Sequence, residues 1–128
     1  MKFTPIDPPR QFEVSGAGLK LKLSDCGRVA LQPDEQVTFT TEAGGEYDVT
    51  RKDWGFYATP SMNGRLKSFG LRAALVLSGY GRLFLVLVEA GKEEAFLAYV
   101  TADRQKFLCW LDEDAEVARL AAVYGVSS

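Results

Sequence analysis

The fold is decided by residues 73–88, which read AALVLSGYGRLFLVLV. Residues 73–77 and 83–88 are apolar at every position, and the connection between them runs from Ser78 to Arg82 and contains two glycines. A strand with one wet face alternates apolar and polar residues, so a run without alternation is typical of a strand that is buried on both faces. The pattern predicts a central apolar hairpin covered on both sides.

A sheet with two dry faces needs a second layer, and the sequence after Gly91 supplies it. Residues 92–102 carry apolar side chains at helical spacing, which predicts a helix that packs on the hairpin. Lys106 to Leu111 then returns as a strand. The acidic run from Asp112 to Glu116 is typical of an N-cap and a first helical turn, so a terminal helix is predicted that ends near Tyr124.

The amino-terminal half predicts further antiparallel strands. Leu19 to Leu23 alternates apolar and basic residues, Asp25 to Gly27 predicts a turn, and Arg28 to Leu31 predicts a short second strand. Gln36 to Thr41 and Glu46 to Arg51 predict a hairpin, because glycines lie between them. The predicted class is α+β, mainly antiparallel β in a meander or a sandwich-like sheet, with a central apolar hairpin and two C-terminal helices.

Length and composition indicate one domain, residues 1–128, in which residues 1–10 form a proline-rich extended lead-in. Hydrophobic residues make up 47% of the chain and charged residues 25%, as in globular proteins. No apolar run reaches the about 20 residues that span a bilayer, so no membrane partner is expected. Cys26 and Cys109 are isolated in the sequence, which predicts free, buried thiols and a cytoplasmic location.

The chain contains no histidine, and this absence excludes the usual proton-transfer residue of many enzymes and the commonest metal ligand. No nucleophile elbow, phosphate loop or dinucleotide fingerprint is present either. The sequence therefore predicts no catalytic residues, no metal and no cofactor, and it favours a non-catalytic protein. A metal-independent enzyme that acts through Asp53 and Tyr57 is the remaining catalytic alternative.

The segment from Tyr47 to Arg72 is the candidate working surface, because aromatic, basic and turn-forming residues are densest there. From Arg51 to Arg72 there are five basic residues and one acid, a local charge of +4 in a chain of net charge −2. Aromatic faces beside basic donors are typical of sites that bind anionic ligands. The candidate ligand-binding residues are Arg51, Lys52, Trp54, Tyr57, Asn63, Arg65 and Lys67.

Two functions compete for this segment. The first is a binding or accessory protein for a small anionic molecule, such as a phosphorylated sugar or a nucleotide sugar. The alternative is a homodimeric or protein–protein interaction module, in which the basic middle meets the acidic residues 89–119. A nucleic-acid partner is not favoured, because the net charge is negative. The aromatic residues also have a structural explanation as ordinary core packing.

Overall fold

The computed structural model describes residues 1–15 and 20–127, and within these residues the chain forms eight strands and three helices. The elements are β1 Lys2–Ser15, β2 Lys20–Ala30, β3 Gln36–Thr40, β4 Glu46–Lys52, β5 Gly55–Ala58, α1 Arg65–Ser68, β6 Leu71–Leu77, β7 Leu83–Glu89, α2 Glu93–Ala102, β8 Lys106–Trp110 and α3 Asp114–Val123. Each described pair of strands is antiparallel. The predicted α+β class and antiparallel pairing are confirmed.

Strands β1 and β2 form a long two-stranded ribbon, with Lys2 opposite Ala30 at one end and Ser15 opposite Lys20 at the other. The prediction of a turn at Asp25 to Gly27 is wrong, because β2 continues through these residues. The irregularity is instead in β1, where the register shifts between Pro5 and Arg10. Proline has no N–H for the ladder, so the proline-rich lead-in interrupts the pairing of β1 without ending the strand. Leu19 lies outside the described residues.

The second sheet has the order β3-β4-β5. Helix α1 follows β5 in the chain and precedes β6 of the third sheet. The β3–β4 turn packs against the start of β6: the Glu46 amide donates to the Phe69 carbonyl at 3.0 Å. Gly45 lies so close to Leu71 that a Cβ at this position would sit 2.9 Å from Leu71 Cδ2. The turn therefore needs glycine because of this close approach.

The third sheet has the order β7-β6-β8, so β6 is its central strand and β7 is an edge strand. The prediction that both strands of the hairpin are central and covered is wrong for β7, in which Leu83, Phe84 and Leu85 are exposed. Strand β6 does fit the expectation of burial, since Ala73, Ala74 and Val76 are at most 1% exposed. Strand β6 has β7 on one side and β8, which returns from α2, on the other.

The core lies on the two faces of β6. On one face α1 contributes Leu66, which packs with Leu71, Ala73 and Leu111. On the other face Phe96 of α2 packs against Phe107 and Trp110 of β8, with ring centroids 6.4 and 5.7 Å apart. The core is small for a chain of this length, because nine hydrophobic residues are buried among the described residues.

Both cysteines are free, as predicted, but the expectation that they are buried is wrong. Cys26 is exposed on β2, and Cys109 is half-buried on β8. Burial raises the pKa of the Cys109 thiol. Among the described residues, no helix is long and apolar enough to cross a bilayer.

Candidate functional site

The most organised polar group is the Arg72 cluster, made by Arg72, Glu93, Trp110 and Asp112. Arg72 donates from Nε and Nη2 to the two carboxylate oxygens of Asp112, at 2.7 and 3.0 Å. Nη1 of Arg72 donates to Glu93 Oε2 at 3.2 Å, and the guanidinium carbon lies 4.0 Å from the centre of the Trp110 ring. The cluster therefore ties β6 to the end of β8 and to the start of α2.

The charges of this cluster are stabilised by each other. Asp112 is 2% exposed, and its hydrogen bonds from Arg72 hold the pKa of its carboxyl below the usual range. The same bonds raise the pKa of Arg72. Hydrogen bonds from its own backbone amide and from Arg72 lower the pKa of Glu93. A buried carboxylate without such a partner would instead bind a proton, so the pairing is what keeps Asp112 ionised.

A cavity of about 320 Å³ adjoins the cluster and is lined by Lys67, Leu71, Arg72, Ala90, Asp112 and Glu113. Three donors of Arg72 are already used inside the chain, and Trp110 lies against its guanidinium group. The lining has two acids and two bases, and Glu93 adds a third acid from the cluster. An anionic ligand would meet more negative than positive charge here, so the geometry fits a structural role for Arg72.

Sequence reasoning did not identify this cluster. Asp112 was expected to cap the terminal helix, and that expectation is wrong: the N-cap is Glu113, and Asp112 faces Arg72. The signal was a lone arginine inside the apolar strand β6, together with an acid directly after the apolar residues 107–111. A charge in an otherwise buried strand needs a buried partner, and Asp112 was the acid nearest to a buried strand end.

Four of the predicted ligand-binding residues lie on the β4–β5 hairpin. Arg51 pairs with Phe56 and Lys52 with Gly55 in its register, so Lys52 and Tyr57 point to one face and Arg51 to the other. Arg51 donates to the Leu31 carbonyl at 2.8 Å, and the Lys52 ammonium pairs with Asp34, which raises the pKa of Lys52. Trp54 is 73% exposed in the turn and Tyr57 is also exposed. The hairpin therefore gathers Lys52 and Tyr57, but not Arg51, on one face.

The other three residues lie in or just before α1. Asn63 donates to Asp114 at 3.4 Å, and the Arg65 guanidinium carbon lies 5.3 Å from the centre of the Phe69 ring. Lys67 lines the cavity beside the Arg72 cluster. Residues 61–64 lead into the short helix α1, which the sequence did not predict and which positions Leu66 in the core.

A larger groove, the β7 groove, runs beside the edge strand and has a volume of about 720 Å³. Its walls are Val14 and Leu21 of the ribbon, the β6–β7 turn, strand β7, and the C-terminal end of α2 with the residues that follow it. The lining residues are Val14, Leu21, Ser78, Gly79, Tyr80, Arg82, Phe84, Leu85, Val86, Tyr99, Asp103, Arg104 and Gln105. Asp103 Oδ1 is buried there without a hydrogen-bond partner among the described residues. The groove is mainly apolar.

Comparison of this chain with protein-family models, with curated proteins and with solved structures finds no match. Among the described residues, no group of acids and cysteines is arranged to hold a metal ion. The function is therefore inferred from the chain's own surface and contacts.

Proposed function

We propose that this chain is a non-catalytic interaction module that works as an assembly of identical copies. The observation that carries the proposal is the accessible surface of 9130 Å² for a 14.1 kDa chain. A compact monomer of this mass exposes about 6,700 Å², so the excess is about 2,400 Å². Obligate homodimers bury a total of about 2,000–5,000 Å², so an excess of this size is comparable to the share that one subunit contributes to a large interface and supports the proposal.

The exposed surface is apolar in character, as an obligate interface requires. In the second sheet, Phe39 and Phe56 lie on the same face as Val37 and Val49 and are exposed. A second exposed apolar set lies on β7, and a third on α3 and the residues after it. Monomeric proteins rarely expose several contiguous apolar patches, which favours contact with further copies.

Charge alone does not support association, because the basic segment is partly neutralised inside the chain. Lys52 pairs with Asp34, and Arg72 pairs with Asp112 and Glu93. The +4 of residues 51–72 is therefore not fully available to the acidic residues of a second copy. Apolar contact depends little on ionic strength, whereas contact between exposed charges is screened by salt.

Sedimentation equilibrium is expected to give a mass of at least twice 14.1 kDa at micromolar protein concentration. The mass should be the same in low salt and in high salt, because the proposed contacts are apolar. Dissociation in high salt would instead assign the association to the basic and acidic segments. A single-chain mass at every protein concentration and in both salts would contradict the proposal.

A second candidate function, binding of a small anionic ligand, is favoured by one observation: Trp54 is 73% exposed beside Lys52 and Tyr57. An exposed indole next to an ammonium group can stack on a nucleobase while the cation contacts phosphate. Arg65 and Lys67 are exposed further along the chain and add positive charge.

This second function predicts that uridine diphosphate changes the fluorescence of Trp54. In a Trp110→Phe variant, Trp54 is the remaining tryptophan, since the chain has two. The variant Lys52→Gln is expected to weaken binding about tenfold or more, because a charge-assisted hydrogen bond to phosphate is lost. The matched control is Lys22→Gln on the ribbon, which should bind normally. Unchanged affinity in Lys52→Gln excludes this surface.

A further inference from the structure

Strand β7 has an edge that no strand of the described chain pairs with, although Val14 and Leu21 of the ribbon line the groove beside it. Its residues Leu83 to Leu87 are apolar at five consecutive positions, with no proline and no charge. Strand β7 pairs with β6 alone, so its outer N–H and C=O groups have no strand partner among the described residues. Leu83 is 60% exposed and Leu85 is 45% exposed. Long apolar edges of this kind pair readily with a further strand.

Three of the other edge strands of the described chain, β8, β5 and β1, carry features that protect their edges. β8, at the opposite edge of the same sheet, has five residues and begins with Lys106. β5 has four residues and begins with a glycine at a positive φ of 145°. β1 contains three prolines, each of which removes a ladder donor. Short length, lysine and proline are the features by which natural sheets avoid edge pairing, and β7 has none of them.

The β7 groove has room for one more strand. A strand in a packed sheet occupies about 160 Å³ per residue, from a rise of about 3.3 Å, a strand spacing of about 4.8 Å and a layer spacing of about 10 Å. The volume of the groove, about 720 Å³, is comparable to that of four to five residues of strand. This length matches the five apolar residues of the free edge.

We infer that the occupant of the β7 groove is β7 of a second copy, paired antiparallel across a twofold axis at Leu85. This inference rests on the proposed self-association and identifies its interface. The second copy is favoured over a foreign peptide because the accessible surface exceeds that of a compact monomer by about the amount that one subunit buries in an obligate dimer.

Symmetry fixes the register of this pairing. Opposed residues of an antiparallel pair lie on the same face, so a twofold axis perpendicular to the sheet places one residue opposite its own copy. With Leu85 on the axis, Leu83 faces Leu87 and Phe84 faces Val86 of the second copy, and all five apolar residues are matched. The two three-stranded sheets become one sheet of six strands. Leu83, Leu85 and Leu87 of both copies then form one apolar face, which continues the core around Leu66 through Leu87.

The test is a charge at the axis. In Leu85→Lys, two ammonium groups would lie directly opposite each other, so the dissociation constant of the dimer is expected to rise by about two orders of magnitude. The matched control is Leu108→Lys on the other edge strand, because Leu108 is 46% exposed and Leu85 is 45% exposed. This control should form an assembly of the same mass as the parent protein. Circular dichroism and the melting temperature establish that each variant is folded.

A second variant keeps the interface apolar and reports on the register. Leu85→Cys in a Cys26→Ser background is expected to form an intermolecular disulfide on mild oxidation, because Cβ atoms of opposed residues are about 4.5–5.5 Å apart. Leu108→Cys in the same background should not form one.

The outcomes separate the two proposals. A single-chain mass for the parent protein overturns both of them. If the parent is an assembly that persists in Leu85→Lys and Leu85→Cys does not cross-link, then self-association stands and β7 pairing is overturned. If Leu108→Lys dissociates the assembly and Leu85→Lys does not, then the interface lies at β8, and the inference is again overturned.

Discussion

Replacing Asp112 with asparagine is expected to lower the free energy of unfolding by about 3 kcal/mol, because it leaves the Arg72 guanidinium without its main partner. The Asp112 side chain is 3% exposed and its two oxygens both accept from Arg72. Removing one member of a buried ion pair costs more than the net stability of the pair, since the remaining charge stays desolvated. Urea denaturation at a fixed protein concentration measures this loss, and the fixed concentration holds any self-association constant.

Glu113→Gln is the matched control, because Glu113 also approaches Arg72 but is exposed. Its Oε1 lies 3.9 Å from Arg72 Nη2. Exposed pairs contribute about 0–1 kcal/mol, so this variant should stay close to the parent. Equal losses in both variants would show that burial of Asp112 does not set the size of the effect.

The same pair has a defined dependence on pH. Because the folded pKa of Asp112 is lowered, its contribution to stability is present above the ordinary carboxyl pKa and is lost as pH falls through the lowered value. The difference in stability between the parent and Asp112→Asn should therefore shrink in acid and stay constant near neutral pH, where this histidine-free chain has few titrating groups. A difference that does not change in acid would contradict the assignment.

Leu66→Ala is expected to lower the free energy of unfolding by about 3–5 kcal/mol. Leu66 is 0% exposed, and α1 carries it into the cluster with Leu71, Ala73 and Leu111. Leu66 is fully enclosed by its neighbours, so the substitution leaves a cavity and also reduces the apolar area that folding buries. With nine buried hydrophobic residues in the described chain, one such loss is a large fraction of a typical stability of about 5–15 kcal/mol.

Leu97→Ala on α2 is the control for this prediction. Leu97 is exposed and lies outside the apolar sets proposed for self-association, and alanine favours a helix at least as well as leucine does, so the stability should change little. A loss below about 1 kcal/mol for Leu66→Ala would mean that the site relaxes around the smaller side chain and that the core does not depend on α1.

Local patterns were sufficient to predict strands, but not how the strands are ordered. The apolar run from Leu83 to Val88 predicts a strand, yet the same run fits a central strand and an edge strand that pairs with a second chain. Periodicity reports which faces avoid water, and it does not distinguish burial within one chain from burial between two. The error at Asp25 to Gly27 has a different cause: β2 stays extended because it pairs with β1 on both sides of Cys26, and the irregularity is taken up by β1 between Pro5 and Arg10.

The candidate site was harder to predict from the sequence than the strands were. Arg51 and Tyr57 are close in the sequence, but the hairpin register sends them to opposite faces. Arg72 and Asp112 are 40 residues apart and meet because β8 pairs with β6. No local pattern encodes a contact of this kind, since it depends on the strand order of the folded sheet.

The strand order also has a kinetic consequence. Two of the three described sheets use strands that follow one another in the sequence, and β6 with β7 is a hairpin as well. Such pairings close short loops and form early, on the microsecond timescale of hairpins. Pairing of β8 with β6 must wait for α2 to form and to turn the chain back. Folding should therefore be rapid for the separate hairpins and become cooperative only when β8 arrives, and that same step brings the aspartate to its arginine.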